Sequence, residues 1–298
     1  MTYYYKIYGQ TLVSDFAFPQ LVPAGETKAG TSEIYIREGA FPEELKRENN
    51  CYSEIGNTVS YLSNDYCYLY VTDGATITYE RKTKEADTLL NAYLLGWGMS
   101  MLFHQRGGLA IHCACVADER GAVIISGDSG CGKSTMTSYF LSRGYHLVAD
   151  DMSVVVFDPE ENCYATPAFP FQKQCRNEIV DKGYDEKKLV YIDEMKDKFL
   201  VPVAGEFSTE PVPVRAMLLL GFTKEEKPQL HEITGIDKMH ACVHALFLRP
   251  LFREKLYAPE NGSRCLKMAA KIPIYGLLRP RVGDTRQQIF QMVEEYLV

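Results

Sequence analysis

Alternating apolar and polar positions predict strands over residues 3–9 and 33–37, with a loop-rich interval between them marked by Pro19, Pro23 and Gly25. Residues 66–71 and 75–80 flank Asp73-Gly74, a dipeptide that tolerates the positive φ of a tight hairpin turn. The pattern then changes period. Thr88 is placed to cap a helix over residues 89–104, whose buried face carries Leu90, Leu94 and Met101 and which Gly107-Gly108 ends. Strands follow over residues 109–116 and 122–126, joined through a turn at 118–121. A glycine-rich loop leads into a helix over 134–142, Gly144 terminates it, and a strand over 145–149 runs into Asp150-Asp151.

Further strands are predicted over 154–157, 199–203 and 217–222, and helices over 238–248 and 285–296. Pro170 and Gly183 make 167–184 read as irregular, apart from a short helix near Gln174. The sum is a mixed-sheet α/β chain in two parts: a small, mostly β region over residues 1–87, rich in tyrosine, and a phosphate-loop domain over 88–298. The tyrosines serve either sheet packing or a recognition surface.

Composition narrows the function classes. The chain has 298 residues, is 46% hydrophobic and carries a net charge of -7, so it can bury a substantial core. Lys and Arg form no long basic tract, which argues against nucleic acid as a partner. The most apolar long window, residues 89–103, is short for a bilayer crossing, and no basic-then-apolar leader opens the sequence; a soluble cytoplasmic protein is expected. The nine cysteines include no Cys-x-x-Cys pair and read as reduced, mostly buried thiols. Cys113 and Cys115 fall on one face of a strand.

The chemistry concentrates in Gly127-Asp128-Ser129-Gly130-Cys131-Gly132-Lys133-Ser134, which meets the phosphate-loop spacing between an apolar strand and a helix. Glycines at 127, 130 and 132 let successive N–H groups converge on phosphate oxygens, and the helix N-terminus reinforces the anion site. Lys133 can reach the outer phosphates of ATP, and the Ser134 hydroxyl, followed by Thr135, is placed to ligate Mg²⁺. Asp150 and Asp151 follow a short apolar strand, where carboxylates emerge at the open end of a sheet. One can hold Mg²⁺ and the other accept a proton from an attacking hydroxyl. Asp150 is favoured as base and Asp151 for the metal, although the sequence permits the reverse. His112 reads either as a packed histidine sharing a face with Ala110 and Ala114, or as a group orienting the base.

Three stretches together carry a family resemblance: Ile111-His112-Cys113-Ala114, then Ile124 through Ser134, then Arg143 through Asp151. The histidine stands fifteen positions before Gly127 and the aspartate pair begins seventeen after Lys133. In this the chain resembles the bacterial HPr kinase/phosphorylase family, with weaker similarity around Leu95-Gly96, Gln105-Arg106-Gly107 and Pro167 to Pro170. The resemblance implies a fold related to HPr kinase and phosphoenolpyruvate carboxykinase. It also implies a catalytic base at Asp150 with His112 beside it, Mg²⁺ organised by Asp151 and Ser134, and phosphate bound by Lys133. Thr135 stands where HPr kinases proper usually carry glutamate, and their downstream glycine-rich signature is missing, so the shorter HPr-kinase-related proteins are the nearer match. Such relatives tend to carry a basic residue near Lys196 and Lys198, either of which can compensate γ-phosphate charge.

The expected activity is Mg-ATP-dependent transfer to a hydroxyl of a protein, a peptide or a small molecule, serine foremost. The alternative is a nucleotide-binding ATPase that regulates a partner without phosphorylating it. The resemblance makes a homo-oligomer a reasonable expectation. Arg279, Arg281, Arg286, Glu178, Asp193 and Glu194 are secondary candidates for phosphate or metal contacts.

Overall fold

The computed structural model describes residues 1–25, 33–83, 87–193, 197–203, 207–252 and 259–297. Between Tyr3 and Arg81 the chain forms one eight-stranded sheet, with Tyr3–Ile7, Gln10–Ser14, Glu33–Glu38, Thr76–Arg81 and Cys67–Thr72 at its centre. The hairpin turn at Asp73-Gly74 has positive φ at both residues, 54° and 58°, as the Asp-Gly signal requires.

A helix crosses from this sheet to the second part of the chain. It runs through Asp87–Tyr93, a π-helical turn at Leu94–Gly98, and Met99–Gln105. Gln105 accepts from the Gly74 N–H at 2.7 Å and donates to the Val71 carbonyl at 3.0 Å, and Arg106 donates to the Gly74 carbonyl, so the helix end grips the hairpin turn. The two glycines around Trp97 permit close packing: a Cβ at Gly96 would meet Phe247 at 3.1 Å, and one at Gly98 would meet Ile77 at 3.2 Å. Thr88 lies inside the helix as described, so it is not the cap its sequence position suggested.

The second sheet is mixed. Its central strand, Gly121–Gly127, runs antiparallel to Cys113–Asp118 and parallel to Val212–Thr223, which in turn runs parallel to Ile274–Pro280. Every residue of Gly121–Gly127 is buried, because both faces are covered. Ala122 and Ile124 point into a cluster with Leu102, Ile111 and Met152; Val123 and Ile125 point the other way, toward Met136, Phe140, Ile289 and Val293. The first cluster is continuous with Ile34, Leu69 and Ile77 of the eight-stranded sheet, so apolar packing joins the two parts.

Two predicted elements differ. The expected strand over 109–116 is two strands, Leu109–Ile111 and Cys113–Asp118, because the first pairs with Ser153–Phe157 and the second with Gly121–Gly127. His112 sits at the break, not in an alternating strand beside Ala110 and Ala114. Gln174 belongs to a strand, Phe171–Cys175, and the short helix begins just after it, Arg176–Asp181. That strand pairs with Lys198–Pro202, which pairs with Val190–Asp193, in a small separate sheet. Ile274–Pro280 and the helix Pro259–Lys271 were not anticipated.

All nine cysteines are free thiols; seven are buried, Cys113 and Cys115 among them. No helix among the described residues is long and apolar enough to cross a membrane.

Candidate active site

The loop between Gly127 and Lys133 takes its shape from three glycines with φ of 143°, 85° and 99° at positions 127, 130 and 132. Gly127 and Gly132 are also crowded: a Cβ at Gly127 would lie 2.6 Å from the Leu220 carbonyl oxygen, and one at Gly132 would lie 3.1 Å from Arg279. Helix Lys133–Leu141 starts at once, so its unpaired N–H groups face the loop. The Lys133 ammonium donates to the carbonyls of Gly127 at 2.7 Å and Asp128 at 3.3 Å, folding back over its own loop. Burial lowers its pKa from the usual lysine value, partly offset by the nearby Asp151.

This loop opens on a cavity of about 250 Å³ lined by His112, Ser129, Gly130, Gly132, Lys133, Ser134, Thr135, Asp150, Asp151 and Lys198, and also by Lys173, Cys175, Asn177 and Glu178. The structure therefore gathers most of the residues singled out in the sequence. Gly127, Asp128 and Cys131 do not line it. Asp128 is exposed, 3.6 Å from His244, and the Cys131 side chain packs beneath the loop with Met136 and Phe140. Lys196 and Glu194 lie outside the described residues, as does the Asp193 side chain. Arg279 stays behind the loop, donating to the Cys131 carbonyl at 2.9 Å and lying over the Phe222 ring; Arg281 lies over the same ring, and Arg286 pairs with Asp284.

The two aspartates end the strand His146–Ala149 and occupy different environments. Asp150 is 6% exposed and accepts from the Lys173 backbone N–H at 2.7 Å. Burial pushes its pKa up to about 6, against the opposing pull of that hydrogen bond and of Lys198. Asp151 has a positive φ of 71° and receives the Lys173 ammonium at 2.6 Å. Burial opposes its ionisation, but Lys173, His112 and Lys198 hold its carboxyl well below the usual range. Neighbouring carboxylates with pKa values driven apart can divide roles, one staying ionised while the other exchanges a proton near neutrality.

His112 fits neither sequence reading fully. Its Nδ1 lies 3.0 Å from the backbone oxygen of Asp151. A carbonyl only accepts, so Nδ1 carries the proton. The ring also packs against Phe247 at 5.8 Å, and its backbone N–H donates to Ala245 at 2.7 Å.

Lys173 was not anticipated. The residues before it read as irregular, yet Phe171–Cys175 alternates, with Gln172 and Gln174 buried and Lys173 and Cys175 on the cavity side. Cys175 pairs with Lys198 across the small sheet, which places a second lysine on the same face. Glu178, opening the next helix, accepts from the Thr135 hydroxyl at 3.0 Å.

The donor set suits a hard cation. Ser134, Asp151 and Glu178 offer oxygen only, and among the described residues no group of three or more His, Cys, Asp or Glu side chains could by itself hold a metal ion. Mg²⁺ is characteristically held this way, through one or two carboxylates with substrate phosphates and water completing its shell.

No family model matches the chain. It is 31% identical over 112 residues to the curated protein named "Putative HPr kinase/phosphorylase 2" of Oceanobacillus iheyensis, a match covering 34% of this chain and 35% of that protein. The chain thus spans about a third of the length of the curated relative it matches. Among solved structures, the HPr(Ser) kinase/phosphatase of Coxiella burnetii aligns with 63% of this chain and 95% of its own at 13% identity, with a TM-score of 0.33. Over those 112 residues the sequence is similar to that HPr kinase/phosphorylase relative.

Proposed function

We propose that the protein is a Mg-ATP-dependent kinase that transfers the γ-phosphoryl group to a hydroxyl, serine of a protein or peptide being the preferred acceptor. The observation that carries this reading is the convergence of Lys133, Ser134, Asp150 and Asp151 on one cavity, with Asp150 buried and its pKa raised toward neutrality.

Loop amides and Lys133 bind the polyphosphate, so Lys133 exchanges its carbonyl partners for phosphate oxygens as ATP arrives. Ser134 and Asp151 are the groups that would hold Mg²⁺, which when bound neutralises charge on the β- and γ-phosphates. Asp150 accepts the proton of the acceptor hydroxyl. As that oxygen forms its bond to the γ-phosphorus, the bond from phosphorus to the bridging β-oxygen breaks, leaving ADP and a phosphate ester. Lys198, and Lys196 by sequence, compensate charge on the transferred group. His112 holds the Asp151 backbone and so positions the pair.

A screen of serine-containing peptides, proteins and hydroxyl metabolites with Mg-ATP, read as the mass gain of one phosphoryl group, tests this reading. A phosphorylated acceptor supports it. Release of free phosphate with every acceptor unmodified would favour the regulatory ATPase.

A further inference from the structure

Lys173 touches the site through both backbone and side chain. Its backbone N–H donates to Asp150 at 2.7 Å, its ammonium pairs with Asp151 at 2.6 Å, and its carbonyl lies 3.5 Å from the Ser134 hydroxyl. The two backbone contacts survive any side-chain substitution other than proline. Only the ammonium is specific to lysine, and it sits on the carboxylate assigned above to the metal.

Charges around the cavity frame its role. Lys133, Lys173 and Lys198 face Asp150, Asp151 and Glu178. A bare divalent ion approaching Asp151 must break a pair whose partners are only 18% and 23% exposed, and leave an ammonium in a confined space. ATP changes that balance. It brings its own negative charge, so an ammonium displaced from Asp151 finds phosphate oxygens within the same cavity.

Resting on the kinase reading, we infer that the Lys173 ammonium occupies the metal's place at Asp151 until nucleotide arrives, making divalent-cation binding conditional on nucleotide. Lys173 then turns from the carboxylate to the phosphates. The device keeps Asp151 ionised and in place in the empty enzyme, and it discourages capture of metal without substrate. Lys173 is thereby a positioning residue for the metal, and its strand supplies the coupling between metal and nucleotide.

Mn²⁺ bound to the full chain, followed by electron paramagnetic resonance with and without a non-hydrolysable ATP analogue, tests this without turnover. Wild-type protein should bind Mn²⁺ at least about tenfold more tightly with the analogue than its affinity for free analogue explains; tenfold corresponds to roughly 1.4 kcal/mol. Lys173→Met should bind Mn²⁺ roughly tenfold more tightly than wild type in the absence of nucleotide, and Lys173→Arg should behave as wild type. Equal or weaker nucleotide-free Mn²⁺ binding by Lys173→Met would overturn the inference. So would wild-type Mn²⁺ affinity that ignores the analogue, a result that needs no variant to fold. A wild-type protein that fails to bind the analogue contradicts the kinase reading itself, and is told apart by analogue binding measured directly.

Discussion

The Nδ1 of His112 meets the backbone oxygen of Asp151 at 3.0 Å, which fixes the ring's tautomer and ties a strand break to a residue with positive φ. Asp151 is not glycine, so its backbone is held in a region that L side chains rarely adopt. Loss of the donor leaves a carbonyl without that partner and loosens the strained residue. His112→Ala should destabilise the fold by about 1 to 3 kcal/mol. His112→Asn, which keeps an N–H donor of similar reach, should recover part of both stability and turnover. Denaturant unfolding and steady-state kinetics on the two variants check this; equal loss in both would show that the ring's packing on Phe247, not its hydrogen bond, is what counts.

If Asp150 is the base, as proposed, it sets the pH dependence. A base must be ionised, so kcat/KM should fall as pH drops through about 6, the value to which burial raises this carboxyl in the free enzyme. The stability effect has the opposite sense. The folded pKa lies above that of the unfolded chain, so the contribution of this group is fully present below about pH 3.9 and is lost as pH rises through about 6. Asparagine escapes that loss and can still accept from the Lys173 N–H. Asp150→Asn should therefore gain stability over wild type between pH 4 and pH 8, by on the order of 2 kcal/mol. Urea unfolding at both pH values measures it, and a constant difference would argue against a raised pKa.

The loop glycines are not equivalent. Both Gly130 and Gly132 have positive φ, but a Cβ at Gly130 meets open space while one at Gly132 meets the Arg279 guanidinium at 3.1 Å. Gly130→Ala carries backbone strain of roughly 1 kcal/mol. Gly132→Ala adds displacement of Arg279 from the Cys131 carbonyl. Nucleotide affinity should fall further in Gly132→Ala than in Gly130→Ala, as calorimetric titration would report; the reverse order would mean that the arginine plays no part in shaping the loop.

The strand, glycine loop and helix, and the position of the aspartate pair at the end of the next strand, were legible because local spacing encodes them. Glycine at three positions and an apolar run before the first specify strand, loop and helix within twenty residues. The hairpin at Asp73-Gly74 was legible for the same reason. His112 was found, but its setting was not, since the break between Leu109–Ile111 and Cys113–Asp118 arises from pairing with different distant strands. Lys173 escaped notice because its strand is short, follows two prolines and pairs with the distant residues 198–202. Ile274–Pro280 was missed although it sits inside the sheet between Val212–Thr223 and Gln229–Ile233: its parallel partner lies some sixty residues earlier, and no local signal announces such a pairing.

In the proposed reaction Asp150 takes the proton from a hydroxyl that receives the γ-phosphoryl group. Transfer of ³²P from [γ-³²P]ATP to an acceptor found in the peptide and metabolite screen, measured beside binding of a non-hydrolysable ATP analogue, tests it most directly when wild type and Asp150→Asn are compared. Asp150→Asn should lose at least a factor of about 100 in transfer while analogue binding stays within a few-fold of wild type. Undiminished transfer by Asp150→Asn would contradict it.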